Sequence, residues 1–170
     1  MKGGEQVKIS ELLAYLLFVL VIIWALMEKP LRPSTKERMH TYYLLARIIF
    51  AEAAGEPYEG KVAVGCVIRN RVKSPRWPNT YEKVIYQYKQ FPGVNSPLWY
   101  LFDKDNELTE EEQKIKQQCL EIAKKILLNK QPDITCGATH YYNPKKASPS
   151  WAKKMKITRR IGNHIFLKER

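Results

Sequence analysis

The chain has 170 residues, which is enough for one ordinary folded domain. Its apolar fraction of 45%, with 10 tyrosines and 4 tryptophans, supplies a core and excludes a chain that is disordered throughout. The formal net charge of +12 favours a polyanionic neighbour, such as nucleic acid, anionic lipid or a bacterial wall, without choosing among them.

Residues 12–27 form an uncharged apolar run, LLAYLLFVLVIIWALM, between Glu11 and Glu28. As a helix this run would measure roughly 24 Å, slightly less than the roughly 30 Å hydrocarbon core of a bilayer. Its end lacks the small residues of a cleavage site, so a signal peptide is the less favoured alternative. We therefore expect one transmembrane helix, with residues 1–33 as anchor and linker and residues 34–170 as the functional domain.

Two amphipathic helices are predicted next. Ser34 and Glu37 form a capping box, which indicates a helix over residues 35–53. Its stripe at helical spacing consists of Leu44, Leu45, Ile48, Ile49 and Glu52. Gly-Glu-Pro at residues 55–57 ends this helix, and Pro57 suits the first turn of a second helix ending near residue 72.

The middle of the chain contains one short and one long predicted helix. Asn79 is predicted to cap a helix that ends near residue 86. Residues 88–106 show neither the helical nor the strand period of apolar residues, which indicates an aromatic-lined loop. Thr109 and Glu112 form a second capping box, which indicates a long amphipathic helix to about residue 128.

The C-terminal part changes to strand patterns. Short strands are predicted at residues 138–143, 157–160 and 164–167. A helical turn is predicted at residues 148–155, and Gly162-Asn163 is a two-residue hairpin signal. The predicted fold class is α+β, mainly helical with a small antiparallel β-sheet near the C-terminus.

The cysteines and histidines do not indicate a metal site. Cys66, Cys119 and Cys136 have no CxxC or zinc spacing, and buried thiols are favoured over one disulfide. His140 and His164 have no partner at ligand spacing. We expect neither a metal nor a cofactor.

Glu52 is the first candidate for catalysis. It lies one turn beyond Ile48 on an apolar face, at the C-terminal end of a predicted helix. Desolvation and the negative end of the helix dipole would both raise the pKa of its carboxyl. A general acid for glycosidic cleavage needs that property. The alternative is a structural glutamate paired with Arg47 or Arg71.

Other side chains are suited to sugars or to a second acid. Glu56 and Glu59 offer another carboxylate, although either could simply stabilise a helix start. Sequence does not place them within the roughly 5–10 Å that paired carboxylates require, so a mechanism with one carboxyl stays open. Gln90-Phe91 and residues 139–144 combine aromatic faces with amides, which suits sugar rings or, alternatively, strand packing.

The sequence resembles the SleB/CwlJ-type cell wall hydrolases, which include spore cortex-lytic enzymes of germination. The segment that carries the resemblance is ARIIFAEAAGEPYEGKVAVGCVIRNRV. It is joined by Pro-Asn-Thr at residues 78–80, Gln90-Phe91, Tyr-Asn-Pro at residues 142–144, and Gly-Asn-His at residues 162–164. The similarity covers about residues 43–166.

This resemblance implies a lysozyme-like fold and lytic transglycosylase activity on the bond between N-acetylmuramic acid and N-acetylglucosamine. The family's catalytic glutamate corresponds to Glu52, which would act as acid and then as base to give a 1,6-anhydro product. Substrate contacts are expected from Glu56, Asn70, Gln90, Phe91, Tyr141, Tyr142 and Asn143. Hydrolysis of the same bond by a muramidase and a non-catalytic wall-binding homologue are the alternatives.

The expected partner is the peptidoglycan glycan strand. Nucleic acid is not expected, because Lys and Arg residues are spread over several elements instead of lining one groove. Four cations after the apolar run, against two before it, mildly favour a cytoplasmic domain by the positive-inside rule; they are Lys29, Arg32, Lys36 and Arg38, against Lys2 and Lys8. Wall cleavage requires the opposite side, so we expect a monomer anchored in the membrane and facing the cell wall.

Overall fold

The computed structural model describes residues 9–27 and 33–170, and the chain divides into two compact units between Ser34 and Thr35. The predicted linker and the flanking charges Lys2, Lys8, Lys29 and Arg32 lie outside the described residues. The first unit contains helix α1 (Ile9–Met27).

The membrane-spanning prediction is corrected by the structure. Among the residues it describes, no helix is both long and apolar enough to cross a membrane. The transmembrane helix expected over residues 12–27, and the anchoring derived from it, are therefore not supported. The physical reason is length, because the uncharged run measures roughly 24 Å against roughly 30 Å of hydrocarbon.

The second unit is built mainly from helices. They are α2 (Thr35–Ala53), α3 (Tyr58–Lys73), α4 (Tyr81–Ile85), α5 (Pro97–Leu101) and α6 (Glu110–Leu127). The predicted helices over residues 35–53, to residue 72 and to residue 128 are confirmed within two residues at each end. The capping box of Thr109 and Glu112 is also confirmed, with both reciprocal hydrogen bonds present.

Helix α2 lies at the centre of this unit and packs against α3, α5 and α6. Leu45, Ile48 and Ile49 are fully buried, as are Ile122 and Ile126 of α6. Burial of such side chains stabilises the fold by about 1.5–3 kcal/mol each. The apolar stripe of α2 therefore fixes the helix rigidly up to its last turn, where Glu52 lies.

Two predictions for the middle segment are wrong. Residues 88–106 are not all loop, because α5 and a 3-10 turn (Asp105–Glu107) form within them. Ser96 caps α5 by accepting a hydrogen bond from the Trp99 amide at 3.2 Å, and Trp99 is buried. Helix α4 is capped by Thr80 and not by Asn79.

A three-stranded antiparallel sheet follows, with the order β1-β3-β2. Its strands are β1 (His140–Tyr142), β2 (Lys156–Ile161) and β3 (His164–Lys168). The hairpin at Gly162-Asn163 and the helical turn, a 3-10 turn over Ser150–Lys154, are confirmed, while β1 is shorter than expected. The central strand β3 is buried, and its Phe166 packs on Ala63 and Val67 of α3.

All three cysteines are free thiols. Cys66 and Cys119 are fully buried, as predicted from their apolar stripes, and burial raises the pKa of the Cys119 thiol to about 12. Cys136 differs from the prediction because it is exposed, in a tight turn with φ of 55°.

Candidate active site

The Glu52 carboxylate is held between the sheet and the segment before α5. Its Oε2 accepts a hydrogen bond from the Tyr141 hydroxyl at 2.8 Å, and its Oε1 accepts one from the Gly93 amide. A Cβ at position 93 would lie 2.6 Å from Oε1, so only glycine lets the backbone approach the carboxylate this closely. The carboxylate orientation is therefore fixed by two donors from opposite sides.

Burial raises the pKa of Glu52 above its ordinary value. The hydrogen bonds from Gly93 and Tyr141, and the charges of Arg71 and Lys146, lower this pKa and only partly offset the desolvation. A carboxyl with a raised pKa keeps its proton closer to neutral pH, which is what a general acid requires. Burial and the neighbouring carboxylate likewise raise the pKa of Tyr141 well above its usual range, so this hydroxyl remains a donor.

Glu52 lies where two cavity lobes meet. One lobe, of about 400 Å³, is lined by Glu56, Leu98, Lys145 and Asn163, and we call it the Glu56 lobe. The other, of about 470 Å³, is lined by Arg71, Lys89, Gln90, Gly93, Tyr141 and Tyr142, and we call it the Arg71 lobe. Both lobes share Ala51, Glu52, Asn143, Lys146 and His164. A polymer lying along both lobes would therefore pass the Glu52 carboxylate.

Glu56 is engaged by the β2–β3 turn. Its Oε2 accepts from the Asn163 amide at 2.8 Å, and its Oε1 accepts from the Asn163 side-chain amide at 3.2 Å. His164 Nδ1 lies 3.8 Å from Oε1, and only 8% of the Glu56 side chain is exposed. Gly162 has φ of 57°, and a Cβ there would lie 2.2 Å from the Glu56 Oε2. Glu56 therefore attaches the hairpin to the α2–α3 junction.

Among the described residues, Glu52 and Glu56 are the only carboxylates that line either lobe. Glu59 is exposed and lines neither. Glu52 lines both lobes, whereas Glu56 lines only one and is bound by the β2–β3 turn, so Glu52 is the carboxylate at the junction of the lobes.

Arg71 lines the site, but the sequence analysis named it only as a possible ion-pair partner of Glu52. Its side chain is 3% exposed, and its Nε donates to the Thr139 carbonyl at 2.7 Å. The guanidinium stacks on Trp77 at 4.0 Å and faces Phe91 at 4.9 Å. Desolvation lowers the pKa of Arg71 to about 10, so it stays charged at neutral pH.

The structure brings five of the predicted substrate residues to the lobes. Gln90, Tyr141, Tyr142 and Asn143 line the Arg71 lobe, and Glu56 lines the other. Tyr142 also packs edge-on against Trp151, with ring centroids 5.9 Å apart.

Two predicted residues are not at the lobes. Phe91 is 5% exposed and packs under Arg71. The Asn70 side-chain amide donates to Asp133, Thr135 and the Ala138 carbonyl at 3.0–3.2 Å. Both side chains stabilise the walls of the site from behind.

Arg47, which was considered as an ion-pair partner of Glu52, contacts other residues. It forms an ion pair with Asp103, donates to the Trp99 carbonyl at 3.0 Å and stacks on the Trp99 ring. In the part of the chain that the structure describes, no group of three or more His, Cys, Asp or Glu side chains could hold a metal ion.

The site places a carboxyl group of raised pKa in an open cavity, as in enzymes that use a general acid, and comparison with known proteins identifies the family. The chain belongs to the cell wall hydrolase family, which it matches over residues 55–167. The resemblance to SleB-type enzymes drawn from the sequence is confirmed.

Curated relatives are spore cortex-lytic enzymes. The enzyme from Bacillus cereus is 35% identical over 127 residues, which cover 74% of this chain and 43% of that protein. The Bacillus subtilis enzyme is 34% identical over 125 residues, covering 72% of this chain and 36% of that protein. The chain thus spans less than half the length of these relatives.

Solved structures match the chain over a larger share of their length. The catalytic domain of the germination-specific lytic transglycosylase SleB from Bacillus anthracis aligns with a TM-score of 0.60 at 32% identity, covering 82% of this chain and 99% of that domain. The catalytic domain of the Bacillus cereus SleB protein aligns with a TM-score of 0.55 at 31% identity, covering 82% of this chain and 94% of that domain. The SleB catalytic-domain fold is therefore shared by this chain.

Proposed function

We propose that this chain is a lytic transglycosylase that cleaves peptidoglycan glycan strands between N-acetylmuramic acid and N-acetylglucosamine, with Glu52 as the catalytic residue. One observation carries the proposal: Glu52 is the only carboxylate among the described residues that lines both lobes, and the other acid of the lobes, Glu56, is held by the β2–β3 turn. A displacement by a carboxylate nucleophile would need a second carboxylate as well as the acid.

In the proposed first step, protonated Glu52 donates its proton to the glycosidic oxygen as the bond to the muramic C1 breaks. The resulting carboxylate then removes the proton from the muramic C6 hydroxyl, whose oxygen bonds to C1 and closes a 1,6-anhydro ring. No water is consumed, and Glu52 ends protonated as it began. Tyr141 and Gly93 donate hydrogen bonds to Glu52 and so stabilise the carboxylate that exists between the two proton transfers.

Because peptidoglycan lies outside the cytoplasmic membrane, we propose that the enzyme cleaves it there. Exposed lysines at the mouth of the lobes, Lys89, Lys145 and Lys146, suit the anionic wall. We propose that one chain suffices, because both lobes and Glu52 belong to the same unit.

The test combines purified walls with variants of two glutamates. Wild type should reduce wall turbidity and release muropeptides that are lighter by one water than products with a reducing muramic end. Glu52→Gln should lose the activity by at least about 1,000-fold, since it cannot donate a proton. Glu59→Gln is the matched control, because it makes the same chemical change at an exposed position and should remain active.

The outcomes separate the alternatives. Products with a reducing muramic end would replace transglycosylation by hydrolysis, as in a muramidase. Equal activity of wild type and Glu52→Gln would refute the catalytic role of Glu52. Wall binding without any release of fragments by the wild type would indicate a non-catalytic wall-binding homologue.

A further inference from the structure

The two lobes differ in their charge. The Arg71 lobe has three cationic side chains, Arg71, Lys89 and the shared Lys146, and one acidic side chain, Glu52, whereas the Glu56 lobe has two cations, Lys145 and Lys146, and two acids, Glu52 and Glu56. When Glu52 carries the proton that it must donate, this lobe holds three positive charges and no negative one. Such a surface favours an anionic group of the substrate.

Arg71 gives this lobe a buried charge with an unmet hydrogen-bonding group. Its Nε is satisfied by Thr139, but its Nη1 is buried without a hydrogen-bond partner. Within the described residues, Arg71 forms no direct ion pair with a carboxylate, unlike Arg47 and Arg76; it interacts electrostatically with Glu52, and that negative charge is absent when Glu52 is protonated. A buried charge without a counter-ion is unfavourable, and a guanidinium matches a carboxylate in geometry.

We propose that the Arg71 lobe binds a carboxylate carried by the muramic acid residue at the cleavage point. This inference rests on the proposed function, because Glu52 must act on the bond beside that sugar. Muramic acid differs from N-acetylglucosamine by a lactyl ether, which ends in a carboxylate or continues into the stem peptide. A cavity of about 470 Å³ lies within the size range of sites for small molecules.

The charge difference also gives the strand a direction. With the muramic acid in the Arg71 lobe, the leaving N-acetylglucosamine occupies the Glu56 lobe. There the Glu56 carboxylate adds a negative charge that opposes Lys145 and Lys146, and the polar side chains of Asn163 and Asn143 suit uncharged hydroxyls. A muramic residue whose carboxyl is neutral, as an amide or a lactam, should therefore bind more weakly in the Arg71 lobe.

The test compares two glycan strands that differ only in charge. Strands are freed of stem peptides with an amidase, which leaves a lactyl carboxylate on each muramic acid, and half are converted to amides with carbodiimide and ammonia. For the wild type we expect the KM to be about 10-fold higher for the amidated strands with a smaller change in kcat, because a charge-assisted contact is lost.

Two double variants locate the effect. Lys89→Gln combined with Lys146→Gln removes the two exposed cations that line the Arg71 lobe, of which Lys146 also lines the Glu56 lobe, and should reduce the KM ratio to about 3-fold or less. Lys83→Gln combined with Lys153→Gln makes the same change in net charge at exposed positions outside both lobes, and should keep the ratio. Arg71 itself is left intact because its stacking supports the fold.

The results distinguish this inference from the proposed function. Equal KM values for charged and amidated strands, whether or not they retain stem peptides, with normal turnover would overturn the carboxylate site while leaving the transglycosylase intact. Failure of the wild type to cleave any strand or wall would instead refute the proposed function. If only strands that retain stem peptides show the discrimination, the carboxylate is that of the stem; discrimination on peptide-free strands identifies the lactyl group.

Discussion

The attachment of the β2–β3 turn to Glu56 predicts a large effect of a small substitution, Gly162→Ala. The new Cβ would lie 2.2 Å from the Glu56 Oε2 and 3.0 Å from the Pro57 ring, at a φ of 57°. The backbone conformation costs about 1–2 kcal/mol for a residue other than glycine. Displacing the Glu56 carboxylate from the Asn163 amide costs about 1–3 kcal/mol more.

The sum is about 3 kcal/mol, which for a unit of this size lowers the Tm by about 10 °C. Thermal unfolding followed by circular dichroism measures it. Gly55→Ala is the matched control, because a Cβ there meets nothing within 4 Å, and its Tm should change by less than about 2 °C. If Gly162→Ala also changed the Tm by less than about 2 °C, the clash with Glu56 would be refuted.

A double-mutant cycle separates the two contributions. In a Glu56→Ala background the clash is gone, so Gly162→Ala should cost only the backbone term, about 1–2 kcal/mol. Additivity of the two substitutions within about 0.5 kcal/mol would show that Glu56 and the turn do not interact.

Three further predictions concern the site itself. Tyr141→Phe removes a donor to Glu52, so we expect kcat to fall about 10-fold. Since that hydrogen bond lowers the pKa of Glu52, the alkaline limb of kcat/KM should also move to higher pH. Burial raises the pKa of folded Glu52, so its ionisation reduces stability as pH rises from the unfolded-state pKa through the folded-state pKa. Glu52→Gln should therefore melt about 2 °C above wild type at pH 7, with the difference gone below about pH 4. Arg71→Lys loses the planar stack and the bond to Thr139, and should lower the Tm by about 6 °C, whereas the exposed Arg159→Lys should not.

Each of these has a contrary result. An unchanged alkaline limb in Tyr141→Phe would show that the hydroxyl does not act on the ionisation of Glu52. A Glu52→Gln protein with the same Tm difference from wild type at both pH values would show that the effect is not ionisation. Equal Tm losses for Arg71→Lys and Arg159→Lys would show that the buried stack is not what Arg71 contributes.

The helical part of the fold was accessible from sequence because its signals are local. The stripe of α2 and the capping box of Thr109 depend on neighbours within a few residues. Helix α5 was not predicted, since its five residues are too few to display a period. It depends on the Ser96 cap and the burial of Trp99, and the latter is a tertiary effect.

The candidate site divides in the same way. Glu52 was found because an acid on an apolar stripe is visible in the sequence. Its donors were harder to find, because Gly93 and Tyr141 lie 41 and 89 residues away along the chain. Arg71 was missed as a lobe residue for the same reason, since the carbonyl that fixes it is 68 residues distant. Asn70 lies at helical spacing on α3, but its side-chain amide donates to the Ala138 carbonyl before β1 and does not line either lobe.

The order of the sheet has a consequence for how this protein behaves at high concentration. The buried central strand β3 pairs with a strand on each side, which leaves β1 and β2 as edges. The first edge is three residues long, and the second has an irregular register between Ile157 and Arg159 and carries Lys156, Arg159 and Arg160. Short, bulged and charged edges resist strand addition by another chain. The sheet is thereby protected from edge-to-edge aggregation where many copies crowd together.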